Sequence, residues 1–267
     1  MTDVQPVPAV EARELSKTYD GAEKPSLSAV SLSIAAGECA GLIGPNGAGK
    51  TTTMLLLAGA LRASAGSIRM FGEPFGPDTV TLKRRIGYVP ADDILFEHLS
   101  AEEQVIISGL ACGLNAATAA ARGAELFTML DLQADARRRI REYSHGMKKK
   151  VAVASALVHD PDLLLLDEPL EGIDVLTARL LKQLFRLMIS RGKTLLLTSH
   201  NLALIDDLCA RVAVVDGGAL VYDGSVEALK ARADAASADP LEDGLIALLG
   251  RGSEPEPLSW LAKETER

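Results

Sequence analysis

Cysteine, net positive charge and long apolar runs are all scarce in this 267-residue sequence, and each scarcity excludes a class of protein. The three cysteines, Cys39, Cys112 and Cys209, are odd in number, lie far apart and show none of the close Cys/His spacing of structural zinc sites. A disulfide scaffold and a zinc module are therefore not expected. Lys and Arg total 28 against 36 Asp and Glu, giving a formal charge of −8 and an isoelectric point near 5.1. Duplex nucleic acids are bound by neutralising phosphates with Lys and Arg, so no nucleic-acid partner is expected either. No run approaches the roughly 18 apolar residues that span a bilayer, and the acidic start MTDVQPVPAVEARE lacks the basic and apolar regions of a secretory signal. The expectation is a cytoplasmic chain with reduced thiols, reaching a membrane only through a partner.

What is present is the composition of a folded domain: 48% hydrophobic and 24% charged residues, in a chain long enough to bury a sizeable core. Val30, Leu32 and Ile34 alternate with serines, and GECAGLIG follows as a short apolar run ending in glycine; both read as strands. TTTMLLLAGAL is a helix by length and periodicity, and SIRMF and IGYV read as further short strands. From about Leu99 to His159 the chain turns alanine-rich and charged, in segments full of strong helix formers, as a helical insertion would. Strand character returns in DLLLLDEP, KTLLLTSH, ARVAVVD and ALVYDG around the helical stretch VLTARLLKQLFRLMIS. That alternation predicts an α/β core with a mostly parallel sheet covered by helices. After Gly224 the reading is a short helix, a small-residue linker AASADP, a second helical patch LEDGLIALLG whose leucines share a face, and a polar tail holding the sole tryptophan, Trp260.

Residues 44 to 51 spell GPNGAGKT, which fits GxxxxGK[ST] and stands between a strand and a helix as that motif requires. Gly44, Gly47 and Gly49, with Pro45, Asn46 and Ala48 between them, let successive backbone N–H groups approach phosphate oxygens, and the helix behind adds its positive end. Lys50 is placed to reach the β- and γ-phosphates, Thr51 offers a hydroxyl to Mg²⁺, and Thr52 lies in the first helical turn. In LLLLDEP, four leucines deliver Asp167 and Glu168 to the carboxyl end of a buried strand, where ligands bind in open α/β sheets. Two acids there need a cation or water to meet: Asp167 for the Mg²⁺ shell, Glu168 to polarise the water attacking the γ-phosphate.

From about Val10 to Gly224 these residues resemble the ATP-binding cassette ATPases. GPNGAGKT is similar to the family's Walker A and LLLLDEP to its Walker B, while YSHGM, residues 143 to 147, resembles the signature LSGGQ with Ser144 and Gly146 retained. EGID at 171 to 174 stands where the family has its D-loop, and His200 in LLLTSH where it has the switch histidine. Tyr19 in LSKTYD corresponds to the aromatic that stacks on adenine. The resemblance implies a P-loop NTPase (RecA-like) α/β core with an antiparallel β-subdomain, an inserted α-helical subdomain and a short helical C-terminal extension. It divides the chain into a nucleotide-binding domain at 1–224, with the core at about 1–92 and 160–224 and the helical part at about 93–159, and an extension at 225–267. It further implies ATP and Mg²⁺ as cofactors, with Glu168, His200 and Lys50 as catalytic groups and Thr51 and Asp167 as metal ligands. Ser144 and Gly146 would close over ATP held by a second, identical or closely paralogous cassette. The implied setting is the cytoplasmic face of the cell membrane, on an integral-membrane permease of exporter type. The alternatives are a soluble cassette acting on ribosomes or DNA, and a non-hydrolysing nucleotide switch.

Two departures stand out. The family places a glutamine where YVPADD has Ala91, and Asp92 or Asp93 is the expected substitute. Met147 replaces the last signature glutamine. Ser144 also reads as the N-cap of the helix HGMKKKVAVASALV, and the run Lys148, Lys149 and Lys150 as that helix's solvated face. His98 and His159 read as structural or surface residues, and His145 as needing no phosphate contact.

Overall fold

The computed structural model describes residues 7–92, 94–233 and 237–250, and the chain divides into two compact units, Met1–Ser225 and Val226–Arg267. In the first, β1 (Val10–Lys17), β2 (Leu27–Ile34), β3 (Cys39–Ile43) and α1 (Lys50–Leu57) are followed by β4 (Ala65–Met70), β5 (Glu73–Phe75), α2 (Val80–Lys83) and β6 (Ile86–Val89). The insertion supplies α3 (Ala101–Ala111), α4 (Ala116–Met129), a 3₁₀ turn at Ile140–Glu142 and α5 (His145–Leu157). The core then resumes with β7 (Leu163–Asp167), α6 (Val175–Ser190), β8 (Thr194–Thr198), α7 (Leu202–Leu208), β9 (Arg211–Asp216) and β10 (Ala219–Ser225).

Two sheets result. β2, β1, β4 and β5 form an antiparallel sheet in that order. The alternation at Val30, Leu32 and Ile34 is its buried face, and Leu15, Leu27, Ile68 and Met70 complete the layer. The second sheet has the order β10-β9-β3-β8-β7-β6, with every pair parallel except the antiparallel β10 edge. All five residues are buried in each of β3, β7 and β8, which is why these strands read as continuous apolar runs. Because β3, β8 and β7 are neighbours and parallel, the chain leaves all three on the same edge, placing the phosphate loop, His200 and the Asp167–Glu168 pair side by side.

Helix starts follow local chemistry. Ser100 and Glu103 form a reciprocal capping box on α3, Asn115 accepts from the Thr118 N–H on α4, and Asp174 accepts from Leu176 and Thr177 on α6. In the second unit, α8 (Val226–Lys230) precedes α9 (Pro240–Leu249), which Asp239 caps and Gly250 ends in a left-handed turn. Gly244 lets α9 approach α8 closely: a Cβ there would stand 2.2 Å from the Leu229 carbonyl oxygen. Trp260 lies outside the described residues.

One expectation is overturned. The lysine run is not a solvated face: Lys149 is fully buried, Lys150 is buried, and only Lys148 reaches outward, to Glu97 at 2.5 Å. The physical reason is helix periodicity, since Lys149 continues the inward face set by Ala152, Val153 and Ala156.

Candidate functional site

The loop between β3 and α1 is shaped by its glycines. Gly44 has φ +153° and a Cβ there would fall 2.0 Å from the Val215 carbonyl oxygen, so only glycine permits the close approach to β9. Gly49 has φ +110°, and its missing side chain leaves room for Leu27 and the Ser26 carbonyl. The loop is braced from the turn between β9 and β10, where the Gly218 N–H donates to the Ala48 carbonyl at 3.1 Å. Lys50 folds back over it, its Nζ donating to the carbonyl oxygens of Gly44 at 2.8 Å and Pro45 at 3.1 Å. Those bonds hold an ammonium in place and are exchangeable for phosphate oxygens. Among the described helices of eight residues or more, α1 alone starts without a side-chain cap. Its first N–H groups and its positive dipole end are left for an anion.

Facing the loop, Asp167 ends β7 with 1% exposure. Thr198 Oγ1, at the end of β8, donates to Asp167 Oδ1 at 2.6 Å and accepts the Glu168 N–H at 3.0 Å, so a single hydroxyl registers both acids. Asp167 Oδ2 is buried and accepts no hydrogen bond among the described residues. A buried carboxylate oxygen without a donor suits a divalent cation or its water shell, and the donor set of Asp167 with the Thr51 hydroxyl is hard oxygen throughout, as Mg²⁺ requires. Glu168 follows in a left-handed conformation, φ +48°, a strain of about 1 kcal/mol or more that turns its side chain off the strand axis. His200 Nδ1 lies 2.9 Å from Glu168 Oε1, and the His200 N–H donates to Oε2 at 3.3 Å. Burial raises the Glu168 pKa above its ordinary 4.5 despite the opposing pull of His200 and Lys50, a direction suited to a base. Glu171 adds a second acid, its Oε1 3.5 Å from His200 Nε2.

Ser26, the segment from Asn46 to Thr52, Glu168 and His200 line one open cleft of about 300 Å³. Tyr19 stands beside it, 39% exposed, with its hydroxyl 3.3 Å from Thr52 Oγ1 and Lys17 Nζ 5.4 Å from the ring centre. The flat ring is thus tethered through its hydroxyl while the residue stays partly exposed, as a stacking platform requires.

Ser144 and Gly146 are not among the residues lining this cleft. Ser144 Oγ accepts from the Met147 N–H at 3.3 Å as the N-cap of α5. His145 Nε2 lies 3.2 Å from the Glu171 carbonyl, and a Cβ on Gly146 would come within 3.4 Å of Asp174 Oδ2. The signature stretch therefore rests on the 171–174 turn of its own chain. Ala91 is half-buried and Asp92 exposed, while Asp93 lies outside the described residues.

Thr198 and Lys149 belong to this region and went unremarked as functional in the sequence. A signal existed for Thr198, a hydroxyl that follows three leucines at the end of a strand, two residues before His200. For Lys149 it was the inward face continued one turn towards the helix start.

The family profile described as ABC transporter matches residues 27–171, more than half of the chain. This chain belongs to the ABC transporter family. It is a nucleotide-binding ATPase subunit of that family, and "the cassette" below means this chain. The cassette is 38% identical over 224 residues to Nod factor export ATP-binding protein I of Paraburkholderia xenovorans, covering 84% of the cassette and 73% of that protein. It is 34% identical to the protein of the same name from Rhizobium etli, over 81% and 68% of the two chains. Among solved structures, an ATP-binding subunit of an ABC transporter superposes with TM-score 0.82 at 27% identity, over 90% of the cassette and 99% of that chain. The fold is also that of a dimeric bacterial ABC transporter cassette, TM-score 0.76 at 23% identity over 81% and 98% of the two chains.

Proposed function

We propose that the cassette binds ATP with Mg²⁺, closes head-to-tail on a second cassette, and uses hydrolysis to drive export through a separate integral-membrane permease at the cytoplasmic face. The observation that carries this reading is a separation: the phosphate loop from Asn46 onward, Glu168 and His200 line one cleft, with Asp167 buried one residue before Glu168, whereas Ser144 and Gly146 do not line it. A signature that does not line its own cleft has its use in a partner's. The relatives support the exporter assignment, being named as export ATP-binding proteins.

In the mechanism, the loop N–H groups from Asn46 to Thr52 and the start of α1 take the phosphates, Lys50 exchanges its two loop carbonyls for phosphate oxygens, and Tyr19 stacks on the base. Thr51 and Asp167 would hold Mg²⁺, which when bound neutralises charge on the phosphate oxygens. Glu168 orients the attacking water and draws on its proton, and His200, released from Glu168, turns its ring to the γ-phosphate. Ser144 and the N–H groups opening α5 meet that phosphate from the partner. Asp92 or Asp93, the two acids that follow Ala91, would take the place of the missing glutamine at the Mg²⁺ water shell.

No helix among the described residues is long and apolar enough to cross a membrane. The insertion supplies the docking surface for the permease, with Ile94 80% and Phe96 54% exposed before α3 and Ile107 and Leu110 exposed along it. Gentle purification from detergent-solubilised membranes tests the reading. A multi-span membrane protein in stoichiometric amount is expected to travel with the chain. Ribosomes, DNA or soluble partners alone, with none of the chain in the membrane fraction, would refute it.

A further inference from the structure

Lys149 is the one charged side chain among the described residues with no exposed surface, and nothing in the mechanism above uses it. It projects from the second turn of α5, four residues beyond the helix start at His145. Its Nζ donates to the carbonyl oxygens of Ala91 at 2.9 Å and Pro90 at 3.3 Å, where the chain leaves β6. β6 is the parallel neighbour of β7, and the last pair of their register is Val89 with Leu166, so Pro90 comes one step beyond it and Asp167 one step beyond its partner. The negative charge of Asp167 is felt in this strand: it adds to burial in raising the Tyr88 phenol above its ordinary pKa.

The helix is fixed to the strand at a second point. Gly87 has no side chain because α5 passes directly over it: a Cβ there would stand 2.4 Å from the Ala156 carbonyl oxygen. From Lys149 to Ala156 along the helix, and from Pro90 back to Gly87 along the strand, the two paths cover about 10 Å each. The two contacts therefore fix α5 antiparallel along β6, with its Ser144 end beside the strand's exit. The Gly87–Ala156 contact is a packing constraint. The Lys149 contact is a directed tie, two charge-assisted hydrogen bonds that the helix cannot tilt or slide without stretching.

We propose that Lys149 is a positioning residue that transmits closure of the second cassette on Ser144 and Gly146 to the segment leaving β6, next to Asp167. This rests on the head-to-tail reading above. When a partner's nucleotide engages the start of α5, the rigid helix shifts, Lys149 carries the Pro90 and Ala91 carbonyls with it, and the chain beside the Asp167 edge is set for hydrolysis. ATP capture by the cassette's own phosphate loop does not pass through this tie.

The test uses the full chain carrying Glu168→Gln, with and without Lys149→Met, and follows amide hydrogen exchange with and without MgATP. In the parent, MgATP is expected to protect both the 144–150 peptide and the Ala91 and Asp92 amides. With Lys149→Met, 144–150 remains protected and the Ala91 and Asp92 amides lose that response. In the chain with Glu168 intact, Lys149→Met is expected to lower kcat at least tenfold with KM for ATP within twofold, and Lys149→Gln, which keeps an uncharged N–H donor group, to recover part of the rate. Circular dichroism establishes that each variant is folded; if the methionine variant is not, the glutamine variant takes its place in the exchange measurement. Equal protection of Ala91 and Asp92 with and without the lysine, or kcat within twofold of the parent, overturns the proposal. Failure of 144–150 to respond to MgATP even in the parent overturns the head-to-tail reading and this proposal with it.

Discussion

Replacing Thr198 by valine probes the one hydroxyl that registers both acids. The side chains are nearly the same shape and the site is fully buried, so the change deletes two hydrogen bonds with little steric effect. Loss of the bond to the Asp167 carboxylate costs about 1.5–3 kcal/mol, and the stranded Glu168 amide about 1–3 kcal/mol more. The added buried methyl returns about 0.8 kcal/mol. A net destabilisation of about 3 kcal/mol follows, which lowers the melting temperature by roughly 6–12 °C. Since Glu168 turns off β7 in a strained conformation, loss of its amide anchor also displaces the carboxylate proposed to orient the attacking water, and kcat is expected to fall on the order of tenfold or more. Thr198→Ser keeps both bonds and should retain kcat while losing about 1 kcal/mol for the missing methyl. Thermal melts and steady-state ATPase rates on the three proteins decide the matter. A valine variant within about 0.5 kcal/mol of the parent, with unchanged kcat, would refute the reasoning.

Glu168→Gln is expected to stabilise the nucleotide-free cassette at neutral pH. Burial raises the folded-state pKa of Glu168 above 4.5, so its stabilising contribution is complete below the unfolded value and is lost as pH rises through the folded one. The melting-temperature advantage of the glutamine variant should therefore grow from near zero at acid pH to a plateau by neutrality, and an advantage independent of pH would contradict the cause. Tyr19→Ala removes the proposed stacking platform, worth about 1–3 kcal/mol, and is expected to weaken ATP binding roughly 5- to 150-fold, while Tyr19→Trp keeps it; equal nucleotide affinity in all three by calorimetry would remove Tyr19 from the site.

Legibility in the sequence followed the range of the interaction. The phosphate loop was legible because its demands are local: Gly44 and Gly49 meet neighbouring backbone that no side chain clears, and Lys50 bonds within its own loop. Strands β3, β7 and β8 were legible because burial on both faces leaves an unbroken apolar run. Asp167 and Glu168 were legible as acids at a strand end, but Thr198, which registers them, sits about thirty residues on and became visible only through the pairing of β7 with β8. Lys149 was misread because three consecutive lysines suggest solvent, whereas a helix sorts consecutive residues onto different faces. The four-stranded antiparallel sheet was foreseen only through the family resemblance, since register shifts at Ala12/Leu15 and Arg13/Ser16 break the alternation of β1.

The choice of serine at position 144 tests how two helix starts divide the work of binding one nucleotide. α1 has no side-chain cap, which leaves its first N–H groups for the phosphate of the proposed nucleotide. α5 has a cap, yet the proposed closure asks it to meet phosphate as well. Serine resolves the conflict: Oγ accepts from the Met147 N–H at 3.3 Å, which leaves the hydroxyl proton to donate outward. Aspartate caps a helix about as well as serine but presents only acceptors and a negative charge. Ser144→Asp is thus expected to keep stability within about 0.5 kcal/mol while abolishing MgATP-driven dimerisation in the Glu168→Gln background, measured by size-exclusion chromatography with light scattering. Ser144→Ala should lose about 1 kcal/mol of stability with the cap and weaken dimerisation without repelling the phosphate. Dimerisation undiminished by Ser144→Asp would mean that the start of α5 does not meet the partner's nucleotide, whatever the cleft of the single chain binds.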